Sequence, residues 1–137
     1  MNVIVDTSFL VSLTNPLEQR HGDCVQVARD LRGKLVVPIT TLPESTHLIA
    51  HRISHRAMRA FISQLQHPQW HIENLTMADL ERAHHILNQY SDALLDFADS
   101  TIVAIAERLE IDTVLTLDQR DFRMIRPKHT AYFTLLP

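Results

Sequence analysis

Asn2-Val3-Ile4-Val5-Asp6-Thr7-Ser8 is a short apolar, β-branched run that ends abruptly in a carboxylate and two hydroxyls. Because the apolar residues are consecutive rather than alternating, they suit a strand covered on both faces, and the chain must turn at Asp6-Thr7-Ser8. The same pattern recurs downstream. Lys34 to Ile39 reads as a second buried strand, with Leu35-Val36-Val37 at its centre and Pro38 at its end. Trp70-His71-Ile72-Glu73-Asn74-Leu75 alternates as a third, Thr113-Val114-Leu115-Thr116-Leu117 forms a fourth, and Thr130 to Leu136 the last.

Helical patterns fill the intervals. A short apolar helix breaks at Asn15-Pro16, and Val25, Val27, Ala28 and Leu31 carry a stripe that ends at Gly33. One helix is expected from Leu42 to Ile53, and a second after Ser54, a good N-cap, with Ala57, Ala60, Phe61 and Leu65 on its apolar face. His67-Pro68 closes that unit. Thr76 and Asp79 have capping-box spacing for a helix to about Tyr90. Asp96 or its neighbour opens another, buried through Ile102, Val103, Ile105, Ala106 and Leu109. Strands alternating with helices, apolar on both sides, imply a three-layer α/β/α sandwich around a mostly parallel five-stranded sheet.

Composition removes several function classes. The chain has 137 residues with 45% hydrophobic, enough for one domain over residues 1–137 that buries roughly two thirds of its unfolded surface. Two glycines, Gly22 and Gly33, cannot write a Walker loop or a G-x-G-x-x-G turn. The single Cys24 excludes internal disulfides and thiolate zinc clusters and fits a reducing, cytoplasmic setting. Lys+Arg 13 against Asp+Glu 16 gives a net charge of -3, so nucleic-acid binding must be local rather than global. Met1 to Leu13 lacks the basic start of a signal peptide and is interrupted by Asp6. No stretch reaches the ~20 apolar residues of a membrane span, so a soluble protein with no membrane partner is expected.

Ligands of a parallel sheet bind beyond the carboxyl ends of its strands. Asp6 ends the first strand, Glu44 lies just past the second and Asp118 ends the fourth. Asp99 sits in the first turn of the helix leading into that fourth strand. Like charges gathered at one edge repel and call for a cation. Oxygen donors without thiolates or an H-E-x-x-H pattern favour Mg²⁺ or Mn²⁺.

Val5-Asp6-Thr7-Ser8, Pro43-Glu44, Leu95-Asp96-Phe97-Ala98-Asp99-Ser100 with Ala104 and Ala106, and Leu115-Thr116-Leu117-Asp118 with Asp121-Phe122 together resemble the four motif blocks of the PIN domain, most closely its VapC-type toxin ribonucleases. The resemblance spans residues 3 to 122. It implies strand order 3-2-1-4-5 and a Mg²⁺- or Mn²⁺-dependent endoribonuclease acting on RNA. It further implies the toxin of a toxin–antitoxin pair, often a homodimer, inhibited by a small antitoxin. Asp6, Glu44, Asp99 and Asp118 match the acidic quartet. Asp6 and Asp99 would then be direct ligands, Glu44 and Asp118 direct or water-mediated ones, and Thr7, Ser8 and Thr116 hydrogen bonders that hold the carboxylates.

Alternatives stay open at this point. Asp96 is either a further ligand or a helix cap, and Asp121 reads as a turn residue. Arg52, Arg56 and Arg59 form either an RNA-binding patch or a solvated helix face. His47, His51 and His55 recur at helical spacing, but Ser54 should break the helix before the third. His21, His84 and His85 read as surface or boundary residues, Phe61 and Trp70 as core anchors. A haloacid dehalogenase-type phosphatase needs D-x-D, where Ser8 stands here; a receiver domain needs a Lys after the last strand, and Lys128 precedes it. A catalytically silent RNA- or protein-binding module is the remaining competitor.

Overall fold

The computed structural model describes residues 1–137. Five strands, β1 (Val3–Val5), β2 (Leu35–Pro38), β3 (Trp70–Glu73), β4 (Thr113–Leu115) and β5 (Thr134–Leu136), form one sheet in the order β3-β2-β1-β4-β5. Every neighbouring pair is parallel, with Ile4 opposite both Val36 and Val114. The expected sandwich and strand order are both present. No helix is long and apolar enough to cross a membrane.

Strand alternation sorts the apolar run into two cores. Val3, Val5, Leu35 and Val37 face one side, where they pack with Phe9, Leu10, Cys24, Ile49 and Phe61 from α1 (Thr7–Thr14), α2 (His21–Asp30), α3 (Leu42–Arg52) and α4 (His55–Gln64). Ile4, Val36 and Val114 face the other, against Ile86, Ile102, Ile105 and Phe122 from α5 (Met77–Gln89), α6 (Phe97–Leu109) and α7 (Gln119–Met124). Phe61 is buried as expected, and Trp70 packs against the first core while partly exposed.

Several boundaries differ from the sequence reading. Helix α2 ends at Asp30, because Leu31 is already extended. Gly33 serves a close approach instead of a helix stop: a Cβ there would lie 1.7 Å from the Met1 carbonyl oxygen. β3 ends at Glu73, where its pairing with β2 ends at Pro38. β4 stops at Leu115, although the Thr116 N–H still donates to Leu136 O at 2.8 Å. Beyond it the Leu117 and Asp118 N–H groups are captured by side-chain hydroxyls and the chain turns away. β5 covers only Thr134–Leu136, matching the three residues that β4 offers it. Asp121, read as a turn residue, lies instead in the first turn of a helix, α7, over residues 119–124.

The α5 start is the expected capping box: Asp79 N–H donates to Thr76 Oγ1 and Thr76 N–H to Asp79 Oδ2, each at 3.0 Å. Asp79 has a second task that the spacing did not disclose. Arg108 on α6 donates to it through Nε at 3.0 Å and Nη2 at 2.9 Å, and to Glu73 through Nη1 at 2.9 Å. Burial would raise the Asp79 pKa, but the bonds from Arg108 and Thr76 outweigh it and hold the carboxyl below its ordinary range. Asp79→Ala therefore removes a cap and strips Arg108 of its buried partner. Urea unfolding should show a loss of about 3 kcal/mol; a change below about 1 kcal/mol would mean that the network contributes no net stability.

Candidate active site

The cleft lies over the carboxyl ends of β1, β2 and β4, where the parallel sheet leaves its strand ends open. Its volume is about 500 Å³, and Asp6, Glu44, Asp96, Asp99 and Asp118 all line it, with Thr7, Ser8, Ser12, Glu18 and Arg52. Arg52 is the one cation among the lining residues.

Asp6 is the best-held carboxylate. It N-caps α1, accepting the Thr7 N–H at 2.7 Å on Oδ1. On Oδ2 it accepts the Ser8 hydroxyl at 3.0 Å and the Thr116 hydroxyl at 2.8 Å. Each hydroxyl in turn accepts a backbone N–H from the turn after β4: Leu117 to Ser8 and Asp118 to Thr116, both at 3.0 Å. Residues more than a hundred positions apart thus lock one carboxylate against the loop that carries another. Thr7 acts differently from its expected role, because its backbone holds Asp6 while its own buried hydroxyl has no partner.

Asp99 sits one turn into α6 with no hydrogen bond to its carboxylate, half-buried, facing the other acids. Burial, followed by the charges of Asp6, Asp96, Asp121 and Asp118, pushes its pKa up to about 8. Burial also raises Asp6, against its three hydrogen bonds. Asp96 occupies the N-cap position of α6, yet its side chain makes no capping bond and faces the cleft instead. Asp121 lies outside the lining but raises Asp99 through space.

The donor set fits a hard divalent ion. It is all oxygen, six carboxylates counting Glu18 with one opposing cation, and burial with the neighbouring acids raises Asp99 toward its protonated form. No trio of His, Cys, Asp or Glu converges closely enough to cage an ion unaided. Repulsion keeps such acids apart, and Mg²⁺ needs only one or two protein carboxylates beside its waters.

Other candidates separate. Arg56 and Arg59 are exposed on α4 outside the cleft, and the Arg59 guanidinium meets His55 Nδ1 at 2.5 Å, so the basic patch divides and only Arg52 joins the acids. His47 and His51 stack with ring centroids 4.0 Å apart, while His55 lies past the break at Ile53 and Ser54, as the spacing indicated. His84 and His85 are exposed, and His21 is half-buried with Nδ1 2.8 Å from Ser12 O. Cys24 is fully buried and its thiol is pushed up by that burial, which makes it inert. Sequence reasoning missed Ser12 and Glu18, since neither follows a strand end; Ser12 lies one helical turn beyond Ser8 on α1, which was the available clue.

Comparison with known proteins agrees with this geometry. Ribonuclease VapC26 of Mycobacterium tuberculosis is 32% identical over 138 residues, covering 98% of this chain and all of that one. The crystal structure of M. tuberculosis VapC20, described as a sarcin-ricin loop cleaving toxin, superposes with a TM-score of 0.80 at 25% identity, over 85% of this chain and 89% of that one. A toxin–antitoxin complex from Klebsiella pneumoniae shares the fold at 20% identity, TM-score 0.68, over 96% and 98% of the two chains. The PIN domain profile matches residues 3–126. A parallel sheet in the order 3-2-1-4-5, acids from five separate segments in one cleft and these likenesses together place the chain in the PIN domain family, among relatives of the VapC type.

Proposed function

We propose that this chain is a divalent-metal-dependent endoribonuclease, acting as one nuclease domain and as the toxin of a toxin–antitoxin pair. The observation that carries the reading is the cleft itself: Asp6, Glu44, Asp96, Asp99 and Asp118 lining one space with Asp99 raised to about 8. Asp6 and Asp99 would hold Mg²⁺ or Mn²⁺, with Glu44, Asp118 and Asp96 completing the oxygen set directly or through water. When bound, such an ion supplies positive charge to phosphodiester oxygens and acidifies water beside it.

The chain's own residues supply the positioning. Ser8 and Thr116 fix Asp6 Oδ2 and, through Leu117 and Asp118 N–H, the loop bearing Asp118. Burial and the neighbouring acids raise Asp99 toward its protonated form, and a bound cation would favour its carboxylate. Arg52 reaches the cleft from α3 and suits a substrate phosphate. Hydrolysis on this reading leaves a 5′-phosphate and a 3′-hydroxyl. The antitoxin assignment draws on the likeness to the Klebsiella complex, and a homodimer and a cytoplasmic setting go with it.

Purified protein incubated with total RNA in Mn²⁺, in Mg²⁺ and in EDTA, with new 5′ ends mapped by sequencing, tests the reading. An oligonucleotide carrying a sarcin-ricin loop is included because VapC20 is described as cleaving that loop. Discrete cuts that vanish in EDTA are expected. No cuts in any condition, from protein that fails to bind Mn²⁺, would favour a silent binding module. Arg52→Ala should raise KM about tenfold at low salt with little change in kcat; an unchanged KM would remove Arg52 from the substrate site.

A further inference from the structure

Arg120, Arg123, Arg126 and Lys128 fall within nine residues, directly after Asp118. Arg123 and Arg126 are exposed, and neither guanidinium forms an ion pair. Arg123 Nη2 donates to Gln119 Oε1 at 2.7 Å and Arg126 Nη1 to Arg123 O at 3.0 Å. Both acceptors are neutral, so they orient the cations without cancelling their charge. Arg82 and Arg108 show the contrast, since Glu107 neutralises one and Asp79 with Glu73 the other.

Arg123 and Arg126 line a shallow pocket of about 380 Å³ with Tyr132, Phe133 and Leu135. Tyr132 is 67% exposed and its ring stacks on no other aromatic group. The frame around it is fixed. Phe133 is buried edge-on against Phe122 at 6.3 Å, and the Arg126 N–H donates to the Tyr90 hydroxyl at 3.0 Å.

Two unneutralised guanidiniums beside a free aromatic face are the pair of contacts that holds single-stranded nucleic acid: salt-dependent grip on phosphate and stacking of a base. The two sites are joined by one helix: Asp118 is the N-cap of α7, which runs back from the cleft edge with Arg123 five residues on, about 8 Å along its axis. Tyr132 precedes β5, whose Thr134 pairs with Thr113 at the start of β4, so the pocket lies toward the sheet edge opposite the cleft, and a strand held at both must follow α7 over several nucleotides. In a chain of net charge -3 whose cleft is itself acidic, such a grip outside the cleft offsets the repulsion RNA meets on approach.

We propose that Arg123, Arg126 and Tyr132 form a docking subsite for single-stranded RNA flanking the cut, with phosphate on the two guanidiniums and a base on the Tyr132 ring. This rests on the ribonuclease reading above. An acidic peptide would also meet the arginines, but it has no use for an exposed ring, so dependence on Tyr132 separates the two.

The test uses the full chain and a fluorescein-labelled, twelve-nucleotide oligoadenylate. Affinity is measured by anisotropy in EDTA, where hydrolysis is stopped, and KM on the same strand in Mn²⁺. Arg123→Ala/Arg126→Ala should weaken binding at least about tenfold and lower the slope of log K against log salt by about 1.4. Tyr132→Ala should weaken it about tenfold, and Tyr132→Phe should restore it. All three positions are exposed, and unchanged thermal melting verifies the fold. Wild-type protein that cleaves RNA while the variants match its Kd, salt slope and KM would overturn the subsite and leave the nuclease reading standing. Wild-type protein that neither cleaves nor binds RNA would overturn both. Arginine variants that lose an oligoglutamate peptide yet keep RNA would assign the patch to a protein partner and overturn the proposal.

Discussion

Asp99→Asn is expected to lower metal-dependent RNA cleavage by at least about 10³-fold while making the metal-free protein more stable. The two effects share one cause. Asp99 stands half-buried among Asp6, Asp96, Asp121 and Asp118, and burial with their charges lifts its pKa from 3.8 to about 8. Asn keeps the shape and removes the charge, so on the proposed reading the cleft loses an anionic donor for the cation. The stability sign follows from linkage. Between 3.8 and about 8 the folded chain keeps a proton that the unfolded chain has released, so stability falls as pH rises across that window. Asn does not titrate and lacks that loss. Melting in EDTA at pH 5 and pH 8 should show the wild type losing stability between them and the variant losing less, with a Tm at pH 8 higher by about 4 °C. Retained cleavage would refute the ligand assignment, and identical pH slopes would refute the electrostatic account.

Thr116→Val should reduce cleavage by up to about 100-fold without touching any carboxylate. Thr116 is fully buried, its hydroxyl donating to Asp6 Oδ2 at 2.8 Å and accepting Asp118 N–H at 3.0 Å. Valine fills the same volume with neither function. Asp6 then loses the strongest of the bonds that hold its pKa down against burial, so the acidic limb of the pH–rate profile should move to higher pH. A purely structural role would lower activity evenly across pH. Thr116→Ser, which returns the hydroxyl, should recover both rate and profile. A valine variant with wild-type rate and an unmoved profile would show that Ser8 and the Thr7 N–H suffice to hold Asp6.

The order of elements and the side of the sheet that carries the acids were legible because they are consequences of local pattern. An unbroken apolar strand must be covered twice, and parallel strands bring all their carboxyl ends to one edge, so Asp6, Glu44 and Asp118 fall together from topology alone. Capping is local too: Thr76 with Asp79, and Ser54 before α4, behave as their spacing indicates. Helix α7 was missed because six residues carry too little periodicity to stand apart from a turn.

What the linear sequence could not hold is everything that depends on distance through space. Ser8 meeting Thr116, Arg108 reaching Asp79, and Arg52 entering the cleft while Arg56 stays outside all depend on how elements far apart in the chain pack. Sequence by itself determined the sheet, its two buried faces and the acidic edge, since each follows from side-chain type at short period. The tertiary structure alone decided that burial and neighbouring acids push the Asp99 pKa up to about 8, and that two arginines remain unneutralised beside an exposed Tyr132. Burial and charge pairing are properties of neighbours, and packing is what chooses the neighbours.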